Sequence, residues 1–164
     1  MRPAKRPSFT RADAATVFDR KPSAFRAWQA KGICSIGKPG KTWLYSWLDM
    51  VKIGMGLSLN SYGIALADAF RVVEDPVVQS LLIEAIVERE PFELYLYYSF
   101  DPEDPTKGRG DPLIFGRVND AMGFLEIKDF EVPTEAQIRV NLLPIAKKWV
   151  AKIAAYEAGE GEQE

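Results

Sequence analysis

Apolar residues recur at three- and four-residue spacing from about position 10 to position 90, and beyond that they fall into short, dense runs. The first pattern predicts helices and the second predicts strands. Thr10 followed by Asp13 is a capping-box signature, so a short helix over about 10–18 is expected to bury Ala14, Ala15, Val17 and Phe18. Asp19-Arg20-Lys21 reads as a turn, and Pro22 suits the first position of a second helix reaching about Lys31. Phe25 and Trp28 face inward there, Ser23, Arg26 and Gln29 lie on other faces, and Gly32 is the stop.

Two short β-like stretches come next, at 33–36 and 42–45, joined by Gly37-Lys38-Pro39-Gly40-Lys41 as a hairpin. Ser46 caps a helix carrying Trp47, Leu48, Met50, Val51 and Met55. Ser58 or Asn60 caps another, with Leu59, Tyr62, Leu66, Ala69, Phe70 and Val73 at helical spacing. Asp75-Pro76 opens a helix over 76–90 that sets Val77, Val78, Leu81, Leu82 and Ala85 on one side. Strands are expected at 92–100, 113–118, 124–128 and 137–142, and Asn141 caps a last amphipathic helix to about 157, with Ala146, Trp149, Val150 and Ile153 inward.

Two helices joined by a tight turn and followed by a hairpin are the order of a winged helix-turn-helix. The expected fold is therefore α+β: an N-terminal winged helix-turn-helix, further helices, a small antiparallel sheet and a closing C-terminal helix. Residues 1–8 read as a flexible basic arm, 9–74 as the DNA-binding unit, 75–158 as an α+β dimerisation, effector or partner unit, and 159–164 as a disordered acidic tail.

Charge sharpens that division. Residues 1–56 hold eleven Lys/Arg against Asp13, Asp19 and Asp49, a net of +8, and the remainder carries a net of −10. A basic segment on an acidic body fits a polyanion-binding module attached to something else. The 164 residues contain one cysteine, Cys34, and no histidine, which removes thiolate zinc sites, His-based metal sites and His-dependent acid–base triads. Cys34 beside Ile33 reads as a small packing residue. Asp101, Glu103, Asp104 and Asp111 lack the spacing of a calcium loop and read as solvated. No catalytic residue, metal or cofactor is expected. No apolar run reaches the ~18 residues of a membrane span and the start lacks an apolar signal-peptide core, so a cytoplasmic location is expected.

The run ICSIGKPGKTW, residues 33–43, ends like a phosphate-binding P-loop. That loop needs a glycine where Ser35 stands, an amide N–H where Pro39 has none, and a helix starting at the lysine. As a hairpin the same residues present Lys38 and Lys41 at a thin tip suited to lie along a phosphate backbone.

The ordered series Phe9-Thr10, Asp13-Ala14-Ala15, Lys21-Pro22-Ser23-Ala24-Phe25-Arg26-Ala27-Trp28, Lys31-Gly32-Ile33 and Tyr45-Ser46-Trp47-Leu48-Asp49 resembles the DNA-binding domain of the mercury-resistance regulator (MerR) family. The likeness covers residues 9–53, or to 73 with the next helix. It implies that Lys21, Ser23 and Arg26 meet DNA from the recognition helix, that Arg11 and Arg20 flank the phosphate backbone, and that Lys38 and Lys41 form the wing. Ala27 stands where many members have a phosphate-touching Tyr. After residue 75 the likeness ends: Asp75-Pro76 interrupts the helical run, and no long heptad or effector-binding cysteine follows.

The function expected is a non-enzymatic, sequence-specific regulator binding double-stranded DNA as a homodimer, with the acidic half open to a protein or small-molecule partner and no membrane partner. The alternative is an architectural or accessory DNA-binding protein, excisionase-like or like a phage terminase small subunit.

Overall fold

The computed structural model of the chain describes residues 8–84, 86, 95–99, 113–115 and 137–159. Residues 1–7 of the expected arm at 1–8, the strand at 124–128, the acidic loop after residue 100 and the end of the tail lie outside the described residues. Helices dominate: α1 (Arg11–Phe18), α2 (Pro22–Ala30), α3 (Trp47–Ser61), α4 (Leu66–Glu74), α5 (Pro76–Ile83) and α6 (Leu142–Glu157). Strands β1 (Tyr95–Ser99), β2 (Leu113–Phe115) and β3 (Gln137–Asn141) pair antiparallel in the order β2-β1-β3, with Leu96 opposite Ile114 and Val140. Among the described residues no helix is long and apolar enough to cross a membrane.

The helix starts obey local chemistry. Thr10 Oγ1 accepts from the Asp13 N–H, and Asp13 Oδ2 accepts from the Thr10 N–H at 2.6 Å. Ser46 and Asp49 repeat this box at the start of α3. Pro22 and Pro76 open α2 and α5, where their missing N–H costs nothing, and Asp75 Oδ1 caps α5 by accepting from the Val77 N–H at 2.8 Å. Asn141 caps α6 by accepting from the Leu143 N–H.

Asp13 also accepts from the Tyr156 hydroxyl at 2.9 Å, which ties the end of α6 to the start of α1. Partial burial pushes the Asp13 carboxyl up, but the hydrogen bonds from Thr10 and Tyr156 outweigh it and hold the pKa below the ordinary 3.8. A depressed folded-state pKa contributes stability that is present above the unfolded value and is lost as pH falls through the folded one. Asp13→Asn is therefore expected to flatten the loss of melting temperature between about pH 5 and pH 2. Melts of both proteins across that range check it, and parallel curves would refute it.

Buried residues from Phe9 to Ile153 form one core cluster. An aromatic chain runs through it: Trp149 to Phe18 at 5.1 Å between ring centres, Phe18 to Phe25 at 6.4 Å, Phe25 to Trp28 at 5.1 Å, and Trp28 to Phe70 at 5.7 Å. Ala14, Ala15, Val17 and Phe18 are all buried, as α1's pattern predicts.

Three expectations are corrected. The break between the third and fourth helices lies at 62–65, not near Ser58 or Asn60, and Gly63 supplies its positive φ of +96°. Gly54 and Gly56 lie inside α3, and each is a notch: a Cβ on Gly54 would stand 2.3 Å from the Trp149 ring, and one on Gly56 would stand 2.9 Å from Phe70. Ser58 instead accepts from Trp149 Nε1 at 2.8 Å, and the Asn60 side chain donates to the Ile64 carbonyl. In the fifth helix Val77 is 62% exposed, while Val78 and Leu82 carry the buried side, and the end of the expected span at 87–90 lies outside the described residues. Finally, the hairpin is closed by the single pair Lys38–Leu44, and Tyr45 pairs with Phe9 instead of with the 33–36 stretch. Gly37, at φ +101°, turns the chain before a ladder can form, and the Ile36 carbonyl is taken by Trp43 Nε1 at 3.1 Å.

Candidate nucleic-acid interface

From Arg20 to Ser46 the chain has six cations (Arg20, Lys21, Arg26, Lys31, Lys38 and Lys41) and no Asp or Glu. All six side chains are exposed. The two ion pairs among the described residues, Lys52–Asp49 and Arg71–Asp68, involve none of them. Arg20 donates to the Asp19 carbonyl at 3.2 Å, and none of the six is neutralised by a carboxylate among the described residues, so their attraction for an outside anion is kept.

Helix α2 sets the shape of this face. Phe25 is buried against Phe18 and Tyr45, so the opposite side of the helix points outward and carries Ser23, Arg26, Ala27 and Ala30. Apart from Arg26 these are short side chains, so the α2 backbone can approach another surface closely. Lys21 precedes Pro22 at the helix start, and Gly32 ends it at φ +66°.

Beside α2 the loop 38–44 projects with Lys38, Pro39, Gly40, Lys41 and Thr42 all exposed. Its base is fixed by reciprocal hydrogen bonds, Lys38 N–H to Leu44 O at 2.8 Å and Leu44 N–H to Lys38 O at 3.2 Å. The next helix begins at Trp47, so no helix N-terminus faces Lys41 and Thr42, and the P-loop geometry is not formed.

The expected site residues divide. Arg20, Lys21, Ser23, Arg26, Lys38 and Lys41 are exposed. Arg11 is half-buried: its guanidinium donates to Gln29 Oε1 and lies 5.3 Å from the Trp43 ring centre. Gln29 in turn donates through Nε2 to the Tyr45 hydroxyl at 3.0 Å. Gln29, which its spacing set on an outer face, is thus the brace between α1, α2 and the base of the loop. Nothing in the local pattern marks it, because its partners are 18 and 16 residues away. Lys31 is a further exposed cation of this face, outside the expected site set but visible in its charge count.

Behind α2, Ser35 donates its backbone N–H and its hydroxyl to the Glu74 carboxylate, fastening the turn after α2 to the end of α4. Cys34 beside it is buried, and that burial pushes its thiol up to about 12. We expect no reaction with a disulfide reagent at pH 8 in the native protein and one equivalent on addition of denaturant. Fast native labelling would refute this placement of Cys34.

No protein-family model and no curated protein matches the chain.

Proposed function

We propose that the chain is a sequence-specific regulator of double-stranded DNA, working through a winged helix-turn-helix made of α1, α2 and the 38–44 loop, as its resemblance to the MerR family implies. The observation that carries this reading is the exposed cationic face shared by Arg20 and Lys21, α2 and the loop, with no Asp or Glu between Arg20 and Ser46. Arg26 projects from the outer side of α2, where a guanidinium in the major groove reads guanine O6 and N7. Lys38, at the base of the loop and not at the tip as expected, and Lys41 beyond it are both exposed and neutralise backbone phosphates, which sets register without reading sequence. The Arg11–Gln29–Tyr45 brace holds reader and loop in one orientation, so few contacts are spent on ordering them.

One such unit offers few base contacts, and two at fixed spacing give a regulator its affinity, so it acts as a homodimer on a two-fold-related operator. Selection of the full chain against a random duplex pool tests the reading. The expected product is an enriched motif with two-fold symmetry, bound with an affinity that falls steeply with salt. Absence of any enriched motif, together with salt-independent retention, would overturn it.

A further inference from the structure

The C-terminal half is acidic as a whole, yet its last helix is not. Helix α6 carries Lys147, Lys148 and Lys152 against the single carboxylate of Glu157, and Arg139 precedes it in β3. All three lysines of α6 are exposed and none joins an ion pair among the described residues. Helix α6 also lies against the N-terminal helices: Trp149 stacks edge-on to Phe18, and Tyr156 donates to Asp13.

Helical geometry separates the three lysines. With about 100° between successive residues, Lys148 and Lys152 lie within roughly 40° of each other, next to the Trp149–Tyr156 stripe that touches α1. Lys147 lies roughly 140° round from Lys152, on the far side of the exposed arc. Lys152 Nζ is 5.0 Å from the Trp149 ring centre, and that ring is 5.1 Å from Phe18's, so the ammonium is within about 10 Å of Phe18. Phe18 closes α1, two residues before Arg20 and three before Lys21. Lys152 thus lies near the end of α1, where the exposed Asp19 precedes the exposed Arg20 and Lys21.

We infer that Lys148 and Lys152 are a second phosphate-binding edge, which extends the DNA footprint from the α1–α2 turn along the flanking backbone. This rests on the DNA-binding reading above. The contact is to phosphate oxygens, so it adds affinity and salt dependence without altering which bases are preferred.

The test is the slope of log affinity against log salt, measured for the full chain on its selected duplex and on an unrelated duplex. Lys148→Gln with Lys152→Gln is expected to make the slope shallower by about 2 on both duplexes and leave their affinity ratio unchanged. Lys148→Arg with Lys152→Arg keeps the wild-type slope, and Lys147→Gln alone leaves it unchanged. Both outer-edge positions are exposed, so circular dichroism and melting temperature serve as checks that the fold is kept. If wild type binds duplex and the double Gln variant keeps its slope, the second edge is refuted while the function stands. If Lys147→Gln flattens the slope as much per residue, the effect is one of net charge and the assignment to this edge fails. If wild type binds no duplex, both readings fall together.

Discussion

Trp149→Ala is expected to lower unfolding free energy by about 3–5 kcal/mol, the largest single loss we anticipate. Trp149 is 8% exposed, stacks on Phe18, fills the notch at Gly54 and donates its indole N–H to Ser58. Truncation empties a volume bounded by α1, α3 and α6 and leaves the Ser58 hydroxyl without its donor. Lost apolar burial, a residual cavity and one broken hydrogen bond all act in the same direction. Trp149→Phe keeps most of the packing and loses the N–H, so it is expected to fall well short of the Ala variant. Gly54→Val approaches the same junction from the other side, since even a Cβ there would stand 2.3 Å from the indole ring. Denaturant unfolding of the three variants against wild type is the measurement, read as the shift in midpoint at constant slope. A loss below 1 kcal/mol for Trp149→Ala would mean that α6 does not anchor the helical core as described.

The second large effect is on binding. Arg26→Ala is expected to weaken selected-duplex binding by about 1–3 kcal/mol, roughly 5- to 150-fold, and to relax preference at one base pair of each half-site. Lys41→Ala is expected to weaken binding to every duplex to a similar degree and to flatten the salt slope by about 1. The contrast follows from their positions. Arg26 projects from the outer side of a short-side-chain helix, and Lys41 caps a loop held only at its base. Neither side chain is buried or ion-paired among the described residues, so both variants are expected to melt within about 0.5 kcal/mol of wild type. Titrations of the two variants under matched salt on selected and unrelated duplexes give the answer. If both bind like wild type, α2 and the loop are not the reading surface, whatever else binds DNA.

What local sequence expressed well was anything carried by residues within one helical turn of each other. Thr10 with Asp13, Ser46 with Asp49, Pro22, Asp75-Pro76 and Asn141 all announce helix starts that the fold contains. Each satisfies or removes a backbone donor by its own geometry, so no distant residue has a vote. Of the candidate interface, the cations and their clustering were legible, as was the inward turn of Phe25.

Gly32 was legible as the end of a helix, whereas nothing in the local pattern marks Gly54 or Gly56 as a place where another element packs. Gly32 and Gly54 look alike in a single sequence, yet one takes a φ of +66° and the other admits an indole ring from a helix ninety-five residues later. Gln29 was missed for a related reason: its place as a brace depends on Arg11 and Tyr45 arriving from either side. Val77 shares its apolar neighbours' periodicity but has no partner element over it among the described residues, and it stays exposed.

By itself, then, the sequence determined where most helices begin, which of their faces are apolar, and that the first third of the chain is cationic and free of carboxylates between Arg20 and Ser46. These follow from backbone hydrogen bonding, side-chain periodicity and charge, all of which act over a few residues. Only the tertiary structure decided that α6 returns to α1 and α3, that Arg11 is engaged by Gln29 and Trp43, and that Lys152 comes to lie near the end of α1. Those outcomes depend on close packing of side chains far apart in the chain, where a glycine's missing Cβ or one indole N–H settles which surfaces meet.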